Sequence, residues 1–208
     1  ERMPKITDAA KMRQRIIAAT WTVIATEGIQ SVSMRRVARA AGSTTGLITH
    51  YFQDKDELVT RAYRTVLDRM IGDAARRIAA PGRVSERLLA AIEAIEPTRA
   101  EMKQFTIVLM NFWAQAAFNP AFARHCHQDY RRWRTLIGRT IRDGIRTGEL
   151  RRDTDVRRVC DLLTLLSDGF SVGMTLTPAA YPRERRAGIL LEVLKPYLVR
   201  QGRGRASR

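Results

Sequence analysis

Cysteine, lysine and long apolar runs are all scarce in this sequence. Its 208 residues contain two cysteines, Cys126 and Cys160, too few for a disulfide framework and in keeping with a reducing compartment. No run approaches the roughly 18 uninterrupted apolar residues of a membrane span. The nearest imitation of an export signal is Ile16 to Ala25 behind Lys11, Arg13 and Arg15, but Thr20 and Thr22 interrupt it and the pattern continues as an amphipathic helix. No export signal is read, and a soluble, cytoplasmic protein is expected. No segment alternates with period 2, so strands are not expected.

Catalytic signatures are also lacking. No Ser/His/Asp or Cys/His set, phosphate loop or paired-carboxylate motif stands out, so neither an enzyme nor a cofactor is expected. His125-Cys126-His127 invites a metal reading, but residues two apart do not share a helix face. No further Cys or His stands at zinc spacing, so no metal site is assigned.

What the chain does have is positive charge. Lys and Arg number 37 against 21 Asp and Glu, a net charge of +16, which favours a polyanionic partner such as nucleic acid. Only 5 of the basic residues are Lys, and an Arg bias of that kind also arises from codon composition. Residues 1–56 carry 9 basic and 5 acidic residues, 57–199 carry 24 and 16, and 200–208 carry 4 and none. The excess is spread along the chain and does not by itself locate a surface.

The periodicity predicts an all-α fold. A first helix spans about Asp8 to Glu27 and stops at Gly28. Ser33 caps a second, Met34 to Ala41, and Thr44 a third, Thr45 to Phe52. Asp54 with Glu57 forms a capping box for a long fourth helix to about Ala80, before Pro81-Gly82. Ser85 caps a fifth, closed by Pro97, and Thr98 with Glu101 opens a sixth to about Phe118. Asn119-Pro120 starts a long Arg-rich helix ending at Gly148, and two final helices span Val156 to Leu176 and Arg183 to Val199. The organisation predicted is a small N-terminal helix-turn-helix module (1–53), a larger helical body (54–199) and a basic disordered tail (200–208).

Ser33 to Phe52 reads SMRRVARAAGSTTGLITHYF, two short helices joined by a Gly-containing turn, the pattern of a helix-turn-helix. Val37, Ala38 and Ala41 give the second helix a small apolar face, against which Ile48 and Phe52 of the third can pack. Thr45, Leu47, Thr49 and His50 are then left outward, with hydroxyls, an imidazole and an apolar tip suited to base edges and the thymine methyl. Tyr51 and Lys55 are placed to meet phosphate, as are the free N–H groups at helix starts. A purely structural hairpin would share this spacing.

Arg15 to Leu58 resembles the N-terminal domain of TetR-family transcriptional regulators. The resemblance rests on Arg15-Ile16-Ile17-Ala18-Ala19, Glu27-Gly28, Val37-Ala38 with Ala41-Gly42, Gly46, His50-Tyr51-Phe52, and Lys55 with Leu58. It implies a homodimeric repressor that binds double-stranded DNA and is released by a small-molecule effector held in the C-terminal domain. The resemblance implies contacts to bases or phosphates for Ser33, Thr44, Thr45, Thr49, His50, Tyr51 and Lys55, and with Arg35 and Leu47 these make up the expected DNA-contacting set. Ser43 stands where the family usually has an apolar turn residue, and Thr49 where Tyr is frequent, so no operator sequence is carried over.

In the body, Asn111 to Gln115, Asn119-Pro120, Tyr130 to Trp133 and Gly148-Glu149-Leu150 resemble the BetI-like subgroup. The residues themselves offer an aromatic stripe, including Phe105, Leu109, Phe112 and Trp113, that suits either a core or a pocket wall. Asn111 and Gln115, amides four apart among apolar neighbours, suit an effector, a solvent face or a helix junction. Asp168, in an apolar helix, would serve a cationic ligand with Trp113 or Trp133 as a cation–π wall, or an interface salt bridge. Arg131, Arg132, Arg134, Arg139, Arg142 and Arg146 make a solvated face or hold an anionic effector.

Two apolar stripes on the last two helices call for a partner, and the resemblance to TetR-family regulators implies a four-helix bundle formed with a second copy. They are Leu163, Ser167, Phe170 and Met174 on one, and Ile189, Leu190, Val193 and Leu194 on the other. The function expected is a ligand-responsive dimeric repressor on a palindromic operator. The alternatives are a sequence-independent architectural DNA-binding protein and an all-helical enzyme.

Overall fold

Short polar side chains set the helix starts. In the computed structural model, which describes residues 5–96 and 100–199, Ser33 Oγ accepts from the Arg36 N–H at 3.1 Å and Thr44 Oγ1 from the Leu47 N–H at 3.3 Å. Asp54 Oδ1 accepts from the Glu57 N–H at 2.8 Å, and Asn119 Oδ1 from the Ala121 N–H at 2.9 Å. Each satisfies an N–H that the first turn leaves without a partner. Nine α-helices result among the described residues: α1 Lys5–Glu27, α2 Met34–Ala40, α3 Thr45–Tyr51, α4 Lys55–Ala79, α5 Val84–Ile95, α6 Ala100–Ala116, α7 Pro120–Arg146, α8 Val156–Leu176 and α9 Arg183–Leu194.

Several boundaries depart from the sequence reading, each for a local reason. Glu57 does not close the capping box on Asp54; its carboxylate accepts from the Gln53 N–H, one residue earlier, at 2.9 Å. Ser85 is not a cap but lies buried inside α5, which begins at Val84. Glu86 returns to the Arg83 N–H at 3.0 Å, and Glu149, from the turn after α7, takes the Val84 N–H at 2.8 Å. The last helix ends at Leu194 rather than Val199, because Pro196 follows and the chain continues as one 3-10 turn over Lys195–Tyr197. Val199 N–H then reaches Glu149 O at 3.0 Å, and Arg151 N–H reaches Tyr197 O at 2.8 Å. The roles expected of Pro97, Thr98 and the 200–208 tail lie outside the described residues.

Apolar burial joins the head to the body. Ile16, Val23 and Ile24 of α1, Val37 and Ala38 of α2, and Ile48 of α3 are buried in the same cluster as Leu58, Tyr63 and Val66 of α4. Gly28 ends α1 with φ of 82°, and Gly42 turns α2 into α3 with φ of 59°, both in the left-handed region that favours glycine. Arg13 donates to Tyr51 O at 3.3 Å and lies over the Phe52 ring at 5.4 Å, holding α3 against α1. The long α4 packs on α1 and on α5, α6 and α7, so one helix runs from the N-terminal head into the body.

A buried ion pair ties α9 to the chain after α5. Arg186 Nε and Nη2 donate to Glu96 Oε1 and Oε2 at 2.8 and 2.7 Å, with side chains only 6% and 3% exposed. Arg186 also donates to the Tyr181 carbonyl. Helix α8 is long and apolar enough to cross a membrane, but Val159, Leu163 and Phe170 on one side of it are buried in the core.

Candidate functional site

The surface of α2 and α3 is the first site. Val37, Ala38 and Ala41 pack under Ile48 and Phe52, and the turn is closed by Ser43 N–H to Ala38 O at 2.9 Å. Burying Ile48 leaves Thr45, Thr49 and His50 exposed together, along with Ser33, Arg35 and Thr44 at or near the two helix starts. Leu47, Tyr51 and Lys55 are half-buried at the edges of this face. The His50 and Tyr51 rings meet edge to face at 5.2 Å, and Thr49 Oγ1 donates to Gly46 O at 3.0 Å. A Cβ added at Gly46 would meet nothing within 4 Å, so that side of α3 is open. Glu27 pairs with Arg36, fixing the start of α2 to the end of α1. The face presents donors, acceptors and cations with no acidic side chain on α3, which suits a duplex groove.

The second site is a cavity of about 70 Å³ inside the body. Helix α4 lends Tyr63, Leu67, Met70 and Ile71, at helical spacing on one face, and α6 lends Leu109 and Trp113. Asp129, Tyr130 and Trp133 come from α7, and Ser167, Asp168 and Ser171 from α8. The Tyr130 hydroxyl donates to Asp168 Oδ2 at 2.7 Å. Burial pushes the Asp168 carboxyl above its ordinary value, against the opposing pull of Tyr130 and Arg134. Asp129 is raised for the same reason, against the Tyr63 hydroxyl and Arg132. Asp129 Oδ2 is buried with no hydrogen-bond partner among the described residues. A carboxylate oxygen left unpaired in an apolar site is costly unless a ligand meets it. Two acids inside aromatic walls form an environment suited to an organic cation.

The seven residues expected around an effector divide here. Leu109, Trp113 and Asp168 line the cavity, whereas Phe105, Asn111, Phe112 and Gln115 do not. Phe105 meets Trp21 of α1 edge-on at 5.7 Å, and Phe112 stacks behind Tyr63 at 3.7 Å. Asn111 is turned away, its Oδ1 accepting from the Ile29 N–H at 3.2 Å and its amide donating to Ile107 O at 2.9 Å. It is a helix-junction residue between body and head. Gln115 is half-buried outside the cavity. Sequence reasoning missed the α4 face and Asp129; the Tyr63, Leu67, Met70, Ile71 spacing was the available signal.

Of the residues expected to dimerise, most lie inward in the single chain. Leu163, Ser167, Phe170, Met174, Leu190 and Leu194 are buried within a single chain, and Ile189 and Val193 are half-buried. Ser167 faces the cavity instead. The physical reason is that α8 covers the cavity with its most apolar side. The side left outward carries Leu165, Gly169 and Leu176, with Leu165 68% and Leu176 67% exposed, and Leu191 of α9 is 44% exposed.

A helix-turn-helix head with an exposed second helix, packed through α4 against a helical body with a small acidic and aromatic cavity, is the architecture of a transcriptional regulator. Comparison with known proteins agrees. Residues 16–62 match the family model described as bacterial regulatory proteins, tetR family, and residues 84–199 match that of the BetI-type transcriptional repressor, C-terminal. The chain belongs to the TetR family of bacterial transcriptional regulators, with a C-terminal domain of BetI type.

It is 29% identical over 208 residues to the HTH-type transcriptional regulator PksA of Bacillus subtilis, covering 97% of each chain. It is 31% identical over 131 residues to the regulator BetI of Paraburkholderia phymatum, covering 62% of this chain and 67% of that one. The fold matches that of a transcriptional regulator from Saccharomonospora viridis solved in complex with choline, with a TM-score of 0.81 at 22% identity over 92% of this chain and all of the other.

Proposed function

We propose that this regulator is a dimeric repressor whose DNA affinity is lowered by an organic cation bound in the acidic, aromatic cavity. The observation that carries the reading is the unpaired Asp129 oxygen and the Asp168 carboxylate set among Trp113, Trp133 and Tyr63. A choline complex of a protein of the same fold supports the cation class. Repression is supported by the repressor description of the matched C-terminal family.

Release would work through α4. Its Tyr63, Leu67 and Met70 line the cavity, and its first residue, Lys55, follows closely on α3. A ligand that binds one tilt of α4 better than another shifts the spacing of the two reading heads in a dimer. The exposed α8 and α9 side with Leu165, Leu176 and Leu191 is the surface proposed to pair with a second copy. The DNA contacts proposed are Ser33, Arg35, Thr44, Thr45, Leu47, Thr49, His50, Tyr51 and Lys55.

The test is selection of binding sites from random duplex DNA at physiological salt. An inverted repeat with half-sites about one helical turn apart or somewhat more is expected, and Lys55→Ala with His50→Ala should abolish its enrichment. Uniform, steeply salt-dependent binding that ignores those substitutions would mark a non-specific coat and overturn the reading.

A further inference from the structure

Tyr130 stands between two recesses. It lines the inner cavity, where its hydroxyl donates to Asp168 at 2.7 Å. It also lines an outer concavity of about 670 Å³ with Arg124, His127, Gln128, Arg131 and Arg134. Arg134 is close enough to Asp168 to pull its carboxyl down, while pairing with Asp161 at 3.0 Å. Tyr130 is thus a wall common to both recesses, the inner one lined by two carboxyls and the outer one by three arginines.

The outer cations are not all spoken for. Arg132, on the neighbouring face of α7, is held by Asp68 at 2.7 Å. Among the described residues, no ion pair engages Arg124 or Arg131, which lie two turns apart on one exposed face. Guanidinium groups bind phosphate through paired N–H donors, more specifically than they bind a solvated counterion. A site with a carboxylate pair on one side of a tyrosine and free guanidiniums on the other matches a ligand carrying both signs of charge.

We propose that the effector is an ammonium alcohol esterified to phosphate, its cationic head in the Asp129–Asp168 cavity and its phosphate on Arg124 and Arg131 across Tyr130. This rests on the cation reading of the cavity and adds the second charge. A purely cationic molecule would leave the arginines unused and would feel their repulsion.

Calorimetric titration of the full chain with choline and with phosphocholine is the test, on the wild type and on an Arg124→Gln, Arg131→Gln double variant. Both substitutions are exposed and leave the core untouched. The wild type should bind phosphocholine about tenfold more tightly than choline, the advantage shrinking with added salt. The double variant should bind the two alike, with choline affinity equal to or above that of the wild type.

Equal wild-type affinities, or a preference that survives the double substitution, would overturn the proposal and leave the cation reading standing. Failure of both ligands to bind would overturn the two together. Co-sedimentation with phosphatidylcholine vesicles that the double variant loses would identify a lipid headgroup as the source of the phosphate ester. Phosphocholine binding without co-sedimentation would identify a soluble one.

Discussion

Asn111 of α6 accepts a hydrogen bond from the backbone N–H of Ile29, at 3.2 Å, across the boundary between body and reading head. Two residues on either side of it along α6, Leu109 and Trp113 line the cavity. The Ile29 N–H sits just after Gly28, in the single 3-10 turn that leads to α2. One helix thus touches the cavity on one face and the chain leading to α2 and α3 on the other.

Replacing Asn111 with Ala should leave the Ile29 N–H unpaired and cost about 1–2 kcal/mol in stability, measured as a lower urea midpoint. The more telling readout is coupling. The effector concentration needed for half-release of DNA should rise further than effector affinity for the free protein falls. A variant whose two values move together would mean that Asn111 only holds the fold.

Glu96 and Arg186 form the most deeply buried ion pair of the fold among the described residues. Glu96→Ala leaves a guanidinium buried without its carboxylate and should destabilise by about 3–5 kcal/mol. Removing both charges with an apolar pair of similar volume should cost far less. Urea unfolding of the single and double variants compares the two.

The raised carboxyl of Asp168 has a consequence for pH. An acid whose folded pKa lies above its unfolded value stabilises the fold below the unfolded pKa, and that contribution is lost as pH rises through the folded one. For Asp168, whose ordinary value is 3.8, the loss begins near that pH and continues above it. Asp168→Asn should therefore be more stable than the wild type at pH 7 and show a flatter pH–stability profile, while binding a cationic effector at least tenfold more weakly. A less stable Asn variant at pH 7 would contradict the burial argument.

Gly46 bears on both stability and DNA binding. Ala is favoured over Gly in a helix, and at Gly46, in the first turn of α3, nothing lies within 4 Å of a Cβ placed there. Gly46→Ala should raise the thermal midpoint. If the open space is where the duplex backbone approaches α3, the same change should weaken operator binding, as fluorescence anisotropy would show.

Much of this was legible in the sequence, because local chemistry decides it. Ser33, Thr44 and Asn119 cap the helices they were expected to cap, and burial of Ile48 and Phe52 alone fixes which face of α3 is outward. What periodicity does not encode is which of two apolar partners a helix meets. The α8 stripe of Leu163, Phe170 and Met174 reads identically whether it faces a second chain or its own core, and it faces the core. Asn111 and Asp168 look alike as polar residues in apolar helices, yet one is satisfied by a backbone N–H and the other reaches a cavity. The Glu96–Arg186 pair spans 90 residues and left no local trace.

On the proposed mechanism, a cation in the Asp129–Asp168 cavity lowers DNA affinity. This is tested most directly by titrating choline, then phosphocholine, into the protein bound to its selected operator, followed by fluorescence anisotropy, with wild type and Asp168→Asn in parallel. Release from the wild type with little or none from the Asn variant is the predicted result. DNA that stays bound throughout, or release that is the same for both proteins, would contradict the account.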